Sequence, residues 1–313
     1  MAAHVPGRSD GPEHTGYEVL ADRADATVVR CRDLVVKAHA GDTDRPALAV
    51  RLRIAADPAL APVLLAPVRP AAGEVRGRPV SLWPYGAPVD PERPEDAPWE
   101  EAARLLAALH RTPVAALPGP LPPMRGPAKV ARALRRMTRA AGPAGPYGHP
   151  YPEAEQVRAA AARLPGWARG AEPAPAAGAL CHGDLHLGQL VRHPAPGGPW
   201  RLIDVDDLGL GDPAWDLARP AAWYAAGLLD PGAWLRFLEA YRAAGGPAAG
   251  PADADPWPRL DLAARALTVQ SAALAVAKAA EAGRRLDGVD RALTDACARI
   301  SVLPPDGGPA GTP

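Results

Sequence analysis

Residues 181–189 read CHGDLHLGQ, and they are followed at short intervals by residues 203–207, IDVDD, and residues 211–218, GDPAWDLA. The three segments place several carboxylates on short loops beside two stretches typical of β-strands, residues 189–193 and 200–204. Carboxylates gathered on loops beside a hairpin are suited to holding a metal-bound triphosphate next to a hydroxyl that loses a proton. The pattern therefore predicts phosphoryl transfer to a small molecule.

The bulk composition argues against several other classes of protein. A chain of 313 residues can form one large domain or two coupled ones, and its formal net charge of zero does not favour binding to nucleic acid or to an anionic membrane. The three cysteines, Cys31, Cys181 and Cys297, are widely spaced, so no disulfide framework is predicted. Because the chain lacks a basic-then-apolar leader and an apolar run of about 18 residues, we expect a soluble cytoplasmic protein.

The pattern of elements divides the chain. We expect residues 1–15 to be disordered, residues 16–82 to form a small β-rich lobe with one helix, and residues 83–88 to form a hinge. Residues 89–302 predict a large, mainly helical lobe, and the Pro- and Gly-rich residues 303–313 predict a disordered tail.

Individual elements follow from periodicity and from the positions of proline and glycine. In the small lobe, strands are predicted at 17–20, 27–32, 34–37, 63–65 and 79–82, with a helix at 46–56. In the large lobe, helices are predicted at 98–111, 128–141, 153–164, 213–227, 231–244, 258–282 and 288–301, and strands at 179–181, 189–193 and 200–204.

Four side chains are candidates for the chemistry. Asp184 lies in a loop after a β-type run, where its carboxylate would orient an acceptor hydroxyl. Asp204 ends a predicted strand and would offer hard oxygen ligands to magnesium, and Gln189 would add an amide oxygen to the same ion. Lys37 also ends a predicted strand, is one of only three lysines in the chain, and would reach the nucleotide phosphates as a point charge.

The motifs HGDLHLGQ, IDVDD and GDPAWDLA together resemble those of the aminoglycoside phosphotransferase and choline kinase-like group of protein-kinase-like enzymes. The sequence of the first motif is also similar to that of bacterial maltokinases. The resemblance covers about residues 17–300 and is most specific over residues 181–218. It implies an α+β, bilobal protein-kinase-like fold, ATP and Mg²⁺ as cofactors, and a small-molecule hydroxyl acceptor.

The resemblance also implies roles for individual residues. Asp184 matches the catalytic base, Gln189 and Asp204 match the two metal ligands, and Lys37 matches the phosphate-contacting lysine of the small lobe. His182 and Asp216 match positions that brace the catalytic loop.

Residues 83–86 look like the adenine-binding hinge of the group. Trp83 and Tyr85 in this segment would either flank adenine or pack the two lobes together.

The sequence departs from the pattern of the group at two places. The first metal ligand is usually Asn, and Gln189 adds a methylene at that position. The small-lobe helix usually supplies a glutamate to the lysine, but residues 45–56 contain no acid, which leaves the partner of Lys37 open. Asp206 and Asp207 would join the metal site or lie in solvent, and solvation is expected for at least one of them.

Several alternatives remain beside the leading interpretation. The acceptor would be an aminoglycoside-type antibiotic, a sugar or an amino alcohol, and a polycationic aminoglycoside would need an acidic pocket. The departures also motivate a catalytically weak pseudokinase that acts as a nucleotide-binding or scaffold protein. The arginines of residues 128–141 are expected to form a solvated face, with substrate contact as the lesser possibility.

Two other motif matches are weak. Residues 209–214 fit a dinucleotide fingerprint, but nearby aspartates would repel a pyrophosphate. Cys181, His182 and His186 have no second cluster at zinc-ligand spacing.

Overall fold

The structure is a computed structural model, and it describes residues 16–23, 26–141 and 151–303. The chain begins with a five-stranded antiparallel sheet in the order β1-β2-β3-β5-β4. Its strands are β1 (Glu18–Asp22), β2 (Ala26–Cys31), β3 (Leu34–His39), β4 (Gly73–Val75) and β5 (Arg78–Pro84). In the central pair, Lys37 of β3 lies opposite Ser81 of β5, so both side chains lie on the same face of the sheet.

One helix, α1 (Arg45–Ala55), follows β3. The side chain of Asp44 caps its start by accepting a hydrogen bond from the backbone N–H of Ala47, and proline in the first turn needs no N–H partner there. Leu48, Leu52 and Ile54 are buried, because the helix packs its apolar stripe inward.

The C-terminal part is mainly helical. Its helices are α2 (Trp99–His110), α3 (Gly126–Ala141), α4 (Glu153–Arg163), α5 (Ala214–Ala225), α6 (Pro231–Ala243), α7 (Trp257–Glu281) and α8 (Gly288–Ser301). Helix α7 runs through the middle and packs against α3, α4, α5 and α8. By length and composition α7 could cross a membrane, but 72% of its apolar window is buried inside the protein, as in the core helix of a soluble protein.

Two small antiparallel sheets carry the motif loops, and all of their strands except β6 lie between α4 and α5 in the chain. One has the order β6-β8-β9, with β6 (Ala87–Pro88), β8 (Leu190–Arg192) and β9 (Trp200–Leu202). The other pairs β7 (Ala179–Cys181) with β10 (Gly209–Gly211). Each motif loop therefore begins or ends at a paired strand, which fixes where its carboxylates lie.

The predicted α+β, bilobal protein-kinase-like class is confirmed: a small sheet with one helix is followed by a larger, mainly helical part. The strand predicted at 63–65 is wrong, since only Leu64 makes a single bridge, to Leu202. The flanking Pro62 and Pro67 have no N–H for a longer ladder. Strands β4 and β10 were not predicted.

The described residues also bear on the expected ends and hinge. Residues 1–15 and 304–313, for which disorder was expected, lie outside the described residues. Leu303 lies within them, and its backbone N–H donates to the carbonyl of Ile300. Trp83 and Pro84, expected in the hinge, belong to β5.

Candidate active site

The loop between β7 and β8 carries Asp184, and its entry is set by Gly183. Gly183 adopts a φ of +82°, and a Cβ there would lie 2.4 Å from the carbonyl oxygen of Asp207. The left-handed conformation and this close approach both favour glycine, the only residue without a Cβ. The loop is therefore pressed against the 204–207 segment, and Asp184 follows directly.

Asp216, at the start of α5, fixes the same loop by hydrogen bonds to its backbone. Its Oδ2 accepts from the backbone N–H of His182 at 2.6 Å, and its Oδ1 accepts from that of Gly183 at 2.7 Å. The His110 ring adds a third hydrogen bond, to Oδ2, at 2.9 Å. Burial alone would raise the pKa of Asp216, but the hydrogen bond and charge of His110 outweigh it and lower that pKa.

His182 joins the loop to the next motif. Its ring is fully buried, and Nε2 donates to the carbonyl oxygen of Ile203 at 2.8 Å. Ile203 immediately precedes Asp204, so the histidine fixes the distance between the loop of Asp184 and the strand end of Asp204. The structure thus places His182 and Asp216 as braces of the two motif loops.

Asp204 faces the lysine of the N-terminal sheet. Its backbone has a φ of +63°, a left-handed conformation that aspartate tolerates better than most residues. Its Oδ1 lies 2.6 Å from Nζ of Lys37, and its Oδ2 lies 3.4 Å from Nε2 of Gln189. The three predicted residues Lys37, Gln189 and Asp204 therefore meet at one point.

Asp206 supplies the partner of Lys37 that the sequence left open. Its Oδ2 lies 3.0 Å from Nζ of Lys37, and it also accepts from Nδ1 of His39 at 3.2 Å. Nε2 of His39 is held at 2.8 Å by the hydroxyl of Ser81 on the neighbouring strand. Asp206 thus pairs with Lys37 although α1 supplies no acid, and His39 positions its carboxylate.

The charges around Lys37 raise its pKa. Burial alone would lower the pKa of this lysine, which is only 9% exposed, but attraction to Asp204 and Asp206 outweighs burial. The pKa of Asp206 is correspondingly held well below its usual range by His39 and Lys37, against the effect of burial. Lys37 and Asp206 are therefore both ionised at neutral pH.

Helix α1 contributes an arginine instead of an acid. Arg51 is 5% exposed, and its Nε donates at 2.7 Å to the carbonyl oxygen of Leu208. Burial lowers its pKa, with the charge of Arg125 acting in the same direction. Arg51 thus ties α1 to the backbone just after the acidic segment, a structural link in place of the missing ion pair.

Asp184 lies between two cations. Its Oδ2 is 2.6 Å from Nζ of Lys129 on α3, and its Oδ1 is 2.6 Å from Nη2 of Arg219 on α5. Burial alone would raise the pKa of Asp184, but Lys129 and Arg219 together hold it well below its ordinary range. The carboxylate is therefore ionised and firmly oriented.

Lys129 also connects Asp184 to the acidic segment. Its Nζ lies 2.8 Å from Oδ2 of Asp207, and Nε of Arg125 lies 3.6 Å from the other oxygen of Asp207. The expectation that Asp206 or Asp207 lies in solvent is wrong for both, because each forms ion pairs with a buried or half-buried lysine. Residues 204–207 therefore provide carboxylate partners for both Lys37 and Lys129.

The oxygen atoms around Asp204 fit a magnesium ion. Carboxylate and amide oxygens are the ligands that this hard cation takes. Asp204 and Asp206 offer carboxylate oxygens, and Gln189 would add its amide oxygen after rotation of the amide group, whose Nε2 now faces Asp204. Nδ1 of His39 lies 3.1 Å from Oδ1 of Asp206, but only its approach to Oδ2 has hydrogen-bond geometry, so Oδ1 is buried without a hydrogen bond. A buried acceptor without a donor is costly and suits a cation.

A second group of possible ligand atoms does not fit a metal. Nitrogen, sulfur and oxygen atoms of His110, Cys181 and Asp216 lie within 4.8 Å of one another. Burial raises the pKa of Cys181, so its thiol keeps the proton that a metal ligand must lose. The ring of His110 is already engaged by Asp216 and by the hydroxyl of Tyr241, so this group braces the loop.

The two aromatic residues of the predicted hinge are engaged within the protein. Trp83 is 7% exposed, and its Nε1 donates to the hydroxyl of Ser81 at 2.8 Å, which favours the packing alternative. The guanidinium of Arg30 lies 3.5 Å from the centroid of the Tyr85 ring. The backbone of Tyr85 donates to Asp33 and accepts from the ring of His193.

A narrow cavity opens beside Asp184. It is lined by Gly126 of α3, Trp215 and Arg219 of α5, and Leu267 and Gln270 of α7, together with the loop itself. A larger groove lies between the start of α2 and α6, and its lining includes none of the motif residues. The narrow cavity therefore borders Asp184 on the side of α3, α5 and α7.

Sequence reasoning missed Lys129, Arg219 and His39. Lys129 lies 55 residues before Asp184 in the chain, and only the packing of α3 brings the two together. One signal was available: the chain uses lysine only three times, and two of these lysines lie in this site. The arginines expected on a solvated face are confirmed as exposed at Arg132, Arg135 and Arg139.

Comparison with solved structures shows the same fold. A choline/ethanolamine kinase family protein from Mesorhizobium loti superposes with a TM-score of 0.58 at 19% identity, over 94% of this chain and 89% of that one. A thermostable mutant of aminoglycoside phosphotransferase APH(4)-Ia, in a ternary complex with AMP-PNP and hygromycin B, gives 0.54 at 14% identity over 92% and 93%. Plasmodium vivax ethanolamine kinase gives 0.52 at 11% identity over 92% and 82%.

No curated protein sequence matches the chain significantly. A profile of the phosphotransferase enzyme family, however, matches residues 10–262, which include Lys37, Lys129 and all three motifs. The fold, the motif order and this match agree, and the chain belongs to the phosphotransferase enzyme family.

Proposed function

We propose that this phosphotransferase is an ATP- and magnesium-dependent kinase that transfers the γ-phosphate of ATP to a hydroxyl of a small molecule. The observation that carries the proposal is the 2.6 Å approach of Nζ of Lys37 to Oδ1 of Asp204. It sets a lysine of the N-terminal sheet against a strand-end carboxylate of the C-terminal part. A cation and a hard anion facing each other in this way are what a metal–triphosphate complex requires.

The nucleotide would exchange the existing ion pairs for new ones. Lys37 would turn from Asp204 to the phosphates, while Asp206 and His39 keep its ammonium in place. Asp204 and the amide oxygen of Gln189 would hold magnesium, with Asp206 as a further donor. Magnesium bound there would neutralise charge on the β- and γ-phosphates.

Asp184 would orient the acceptor. The acceptor oxygen forms a bond to the γ-phosphorus, and the bond between that phosphorus and the β–γ bridging oxygen breaks. ADP leaves with that electron pair, and the hydroxyl proton passes to the carboxylate of Asp184. A carboxylate held so far below its usual pKa is a weak base, so its main contribution is positioning, with the proton accepted late.

Adenine would lie at the hinge, which we place at residues 83–88. Tyr85 can contact it only when Arg30 leaves the ring face, whereas Trp83 supports the hinge from within the sheet. We also propose that the enzyme works in the cytoplasm, where ATP and magnesium are available.

The first experiment is thermal stabilisation by ATP with and without magnesium, on the wild type and on Asp204→Asn. Asp253→Asn is a matched control, because Asp253 is exposed and distant in sequence from the motifs. We expect a magnesium-dependent rise in Tm in the wild type and the control but not in Asp204→Asn. An equal rise in all three proteins, or none in any, would contradict the metal–nucleotide site.

A second experiment separates a kinase from a pseudokinase. Asp184→Asn should retain the nucleotide-dependent rise in Tm while losing ADP formation, including slow transfer to water. If wild type and Asp184→Asn both bind nucleotide and neither forms ADP, the protein is a nucleotide-binding pseudokinase.

A further inference from the structure

Cations surround the carboxylate that would face the acceptor. Lys129 and Arg219 each lie 2.6 Å from an oxygen of Asp184, and Arg125 reaches toward Asp207. These three cations face two carboxylates, so the group as a whole carries an excess of positive charge. The side chains of Lys129 and Arg219 are 12% and 19% exposed, so water screens them little.

The start of helix α3 adds to this positive potential. Gly126, its first residue, lines the cavity beside Asp184, and the first turn contains Lys129 but no acid. A helix N-terminus carries partial positive charge, and a lysine in the first turn is unfavourable there unless an anion compensates it. Within residues 126–141 the sequence has five basic residues and no acid.

The remaining wall of the cavity is uncharged. Trp215, Leu267 and Gln270 supply it, and among the described lining residues Asp184 is the only acid. Asp184 itself is already neutralised by two cations. A cationic acceptor would therefore meet like charges without compensation.

We propose that the acceptor is a hydroxyl compound carrying an anionic group, a carboxylate or a phosphate, close to the hydroxyl that is phosphorylated. This inference rests on the proposed kinase function and narrows its acceptor. The anionic group would lie at the opening of the cavity, beside Arg219 and the start of α3. A polycationic aminoglycoside has the opposite charge requirement.

The test uses acceptors matched in shape and different in charge. Glucuronate, glucose and glucosamine form one set, and glycerate, glycerol and 3-amino-1,2-propanediol form another. Each is assayed with wild-type enzyme and Mg-ATP, both as an acceptor and as an inhibitor of ADP formation with water. We expect the anionic member of each set to be bound at least tenfold more tightly than its partners. Preference for a neutral or cationic member, or no discrimination, would overturn the proposal.

Variants that each remove one positive charge test which residues cause the preference for an anionic acceptor. Arg219→Gln should weaken binding of the anionic compounds about tenfold and change binding of the neutral ones little. Because Arg219 also holds Asp184, Arg125→Gln provides a second variant that leaves both partners of Asp184 in place. Arg132→Gln, at an exposed position on α3, is the control with the same change of charge. Equal losses in Arg125→Gln and Arg132→Gln would show that the preference is not local and would contradict the assignment.

Failure of this inference is distinguishable from failure of the kinase proposal. A magnesium-dependent rise in Tm with ATP, together with slow ADP formation, supports the kinase whatever the acceptors do. Anion preference can then be absent while nucleotide chemistry is present, and this result would overturn only the acceptor class.

Discussion

Nζ of Lys129 lies 2.6 Å from Oδ2 of Asp184, so a residue of α3 controls the carboxylate of the motif loop. The ion pair, with that of Arg219, holds the pKa of Asp184 well below its usual range against the effect of burial. Replacing Lys129 by Gln should raise this pKa, because burial then meets only one opposing cation.

The rate of ADP formation by Lys129→Gln should consequently fall as pH decreases from 7 toward 5, a range in which the wild-type rate stays flat. The pH–rate profiles of the two proteins measure this difference, and Lys129→Arg should behave like the wild type. Superimposable pH–rate profiles for Lys129→Gln and the wild type would show that Lys129 does not control the pKa of Asp184. Tm values at pH 5 check that the variant is folded.

Asp206 is the second carboxylate on Lys37, and its loss should affect nucleotide use. In Asp206→Asn the ammonium of Lys37 keeps Asp204 but loses the anion that would hold it once Asp204 binds metal. We expect KM for Mg-ATP to rise about tenfold, since a buried charge-assisted hydrogen bond of this type contributes about 1.5–3 kcal/mol. Steady-state kinetics with Asp253→Asn as a control tests this, and an unchanged KM would assign Asp206 a purely structural role.

Asp216 should matter more for stability than any other carboxylate of the site. It is fully enclosed and accepts from two backbone N–H groups and from His110. Asp216→Asn puts an NH₂ group against one of these donors, and we expect a loss of about 3–5 kcal/mol in the free energy of unfolding. Denaturant titration measures it.

Asp212→Asn is the matched control for this measurement. Asp212 accepts from the backbone N–H of Ala214 at the start of α5, and Asn caps helices as well as Asp. The control should change the free energy of unfolding by less than about 0.5 kcal/mol. Similar losses in the two variants would show that Asp216 has no special role.

His186 makes stability depend on pH. Burial, with the charge of Arg219, lowers its pKa from 6.5 to about 4, so the unfolded chain binds the proton first as pH falls. Stability is therefore unaffected above pH 6.5 and is lost between pH 6.5 and about 4. The loss should be on the order of 1–2 kcal/mol, since the side chain keeps some exposure.

In His186→Asn this part of the pH dependence should disappear. Asn can still accept the hydrogen bond that Nδ1 of His186 receives from the backbone N–H of Gly188. Denaturant titrations of both proteins at pH 7 and pH 5 measure the difference. Equal losses in the two proteins would show that other groups cause the acid sensitivity.

The sequence was most informative where the structure is local. Asp184, Gln189 and Asp204 lie within 21 residues, and a tight loop beside a hairpin brings such neighbours together with little help from the rest of the chain. Long, periodic helices such as α7 were predicted within a few residues of their observed bounds. The three-residue strands β4 and β10 were missed, because so short a segment carries no periodic signal.

The parts that escaped prediction depend on packing between distant segments. Lys129 reaches Asp184 only because α3 packs against α7, and Asp206 meets Lys37 across 169 residues of sequence. The choice of partner for Lys37 was also not local: α1 lacks an acid, and an aspartate from another motif takes that place. Trp83 was assigned to the hinge from its flanking Pro and Gly, although it belongs to β5 and packs inward.

The short acidic segment 204–207 places a mechanical constraint on the enzyme. Asp206 and Asp207 are consecutive, yet one is bonded to Lys37 and the other to Lys129. Backbone movement that brings Asp206 toward a nucleotide would also displace Asp207. That displacement would disturb the ion pair between Lys129 and Asp184. The ion pair of Lys37 and the ion pair of Lys129 are thus coupled through a single peptide unit, so a displacement at one of them also moves the other.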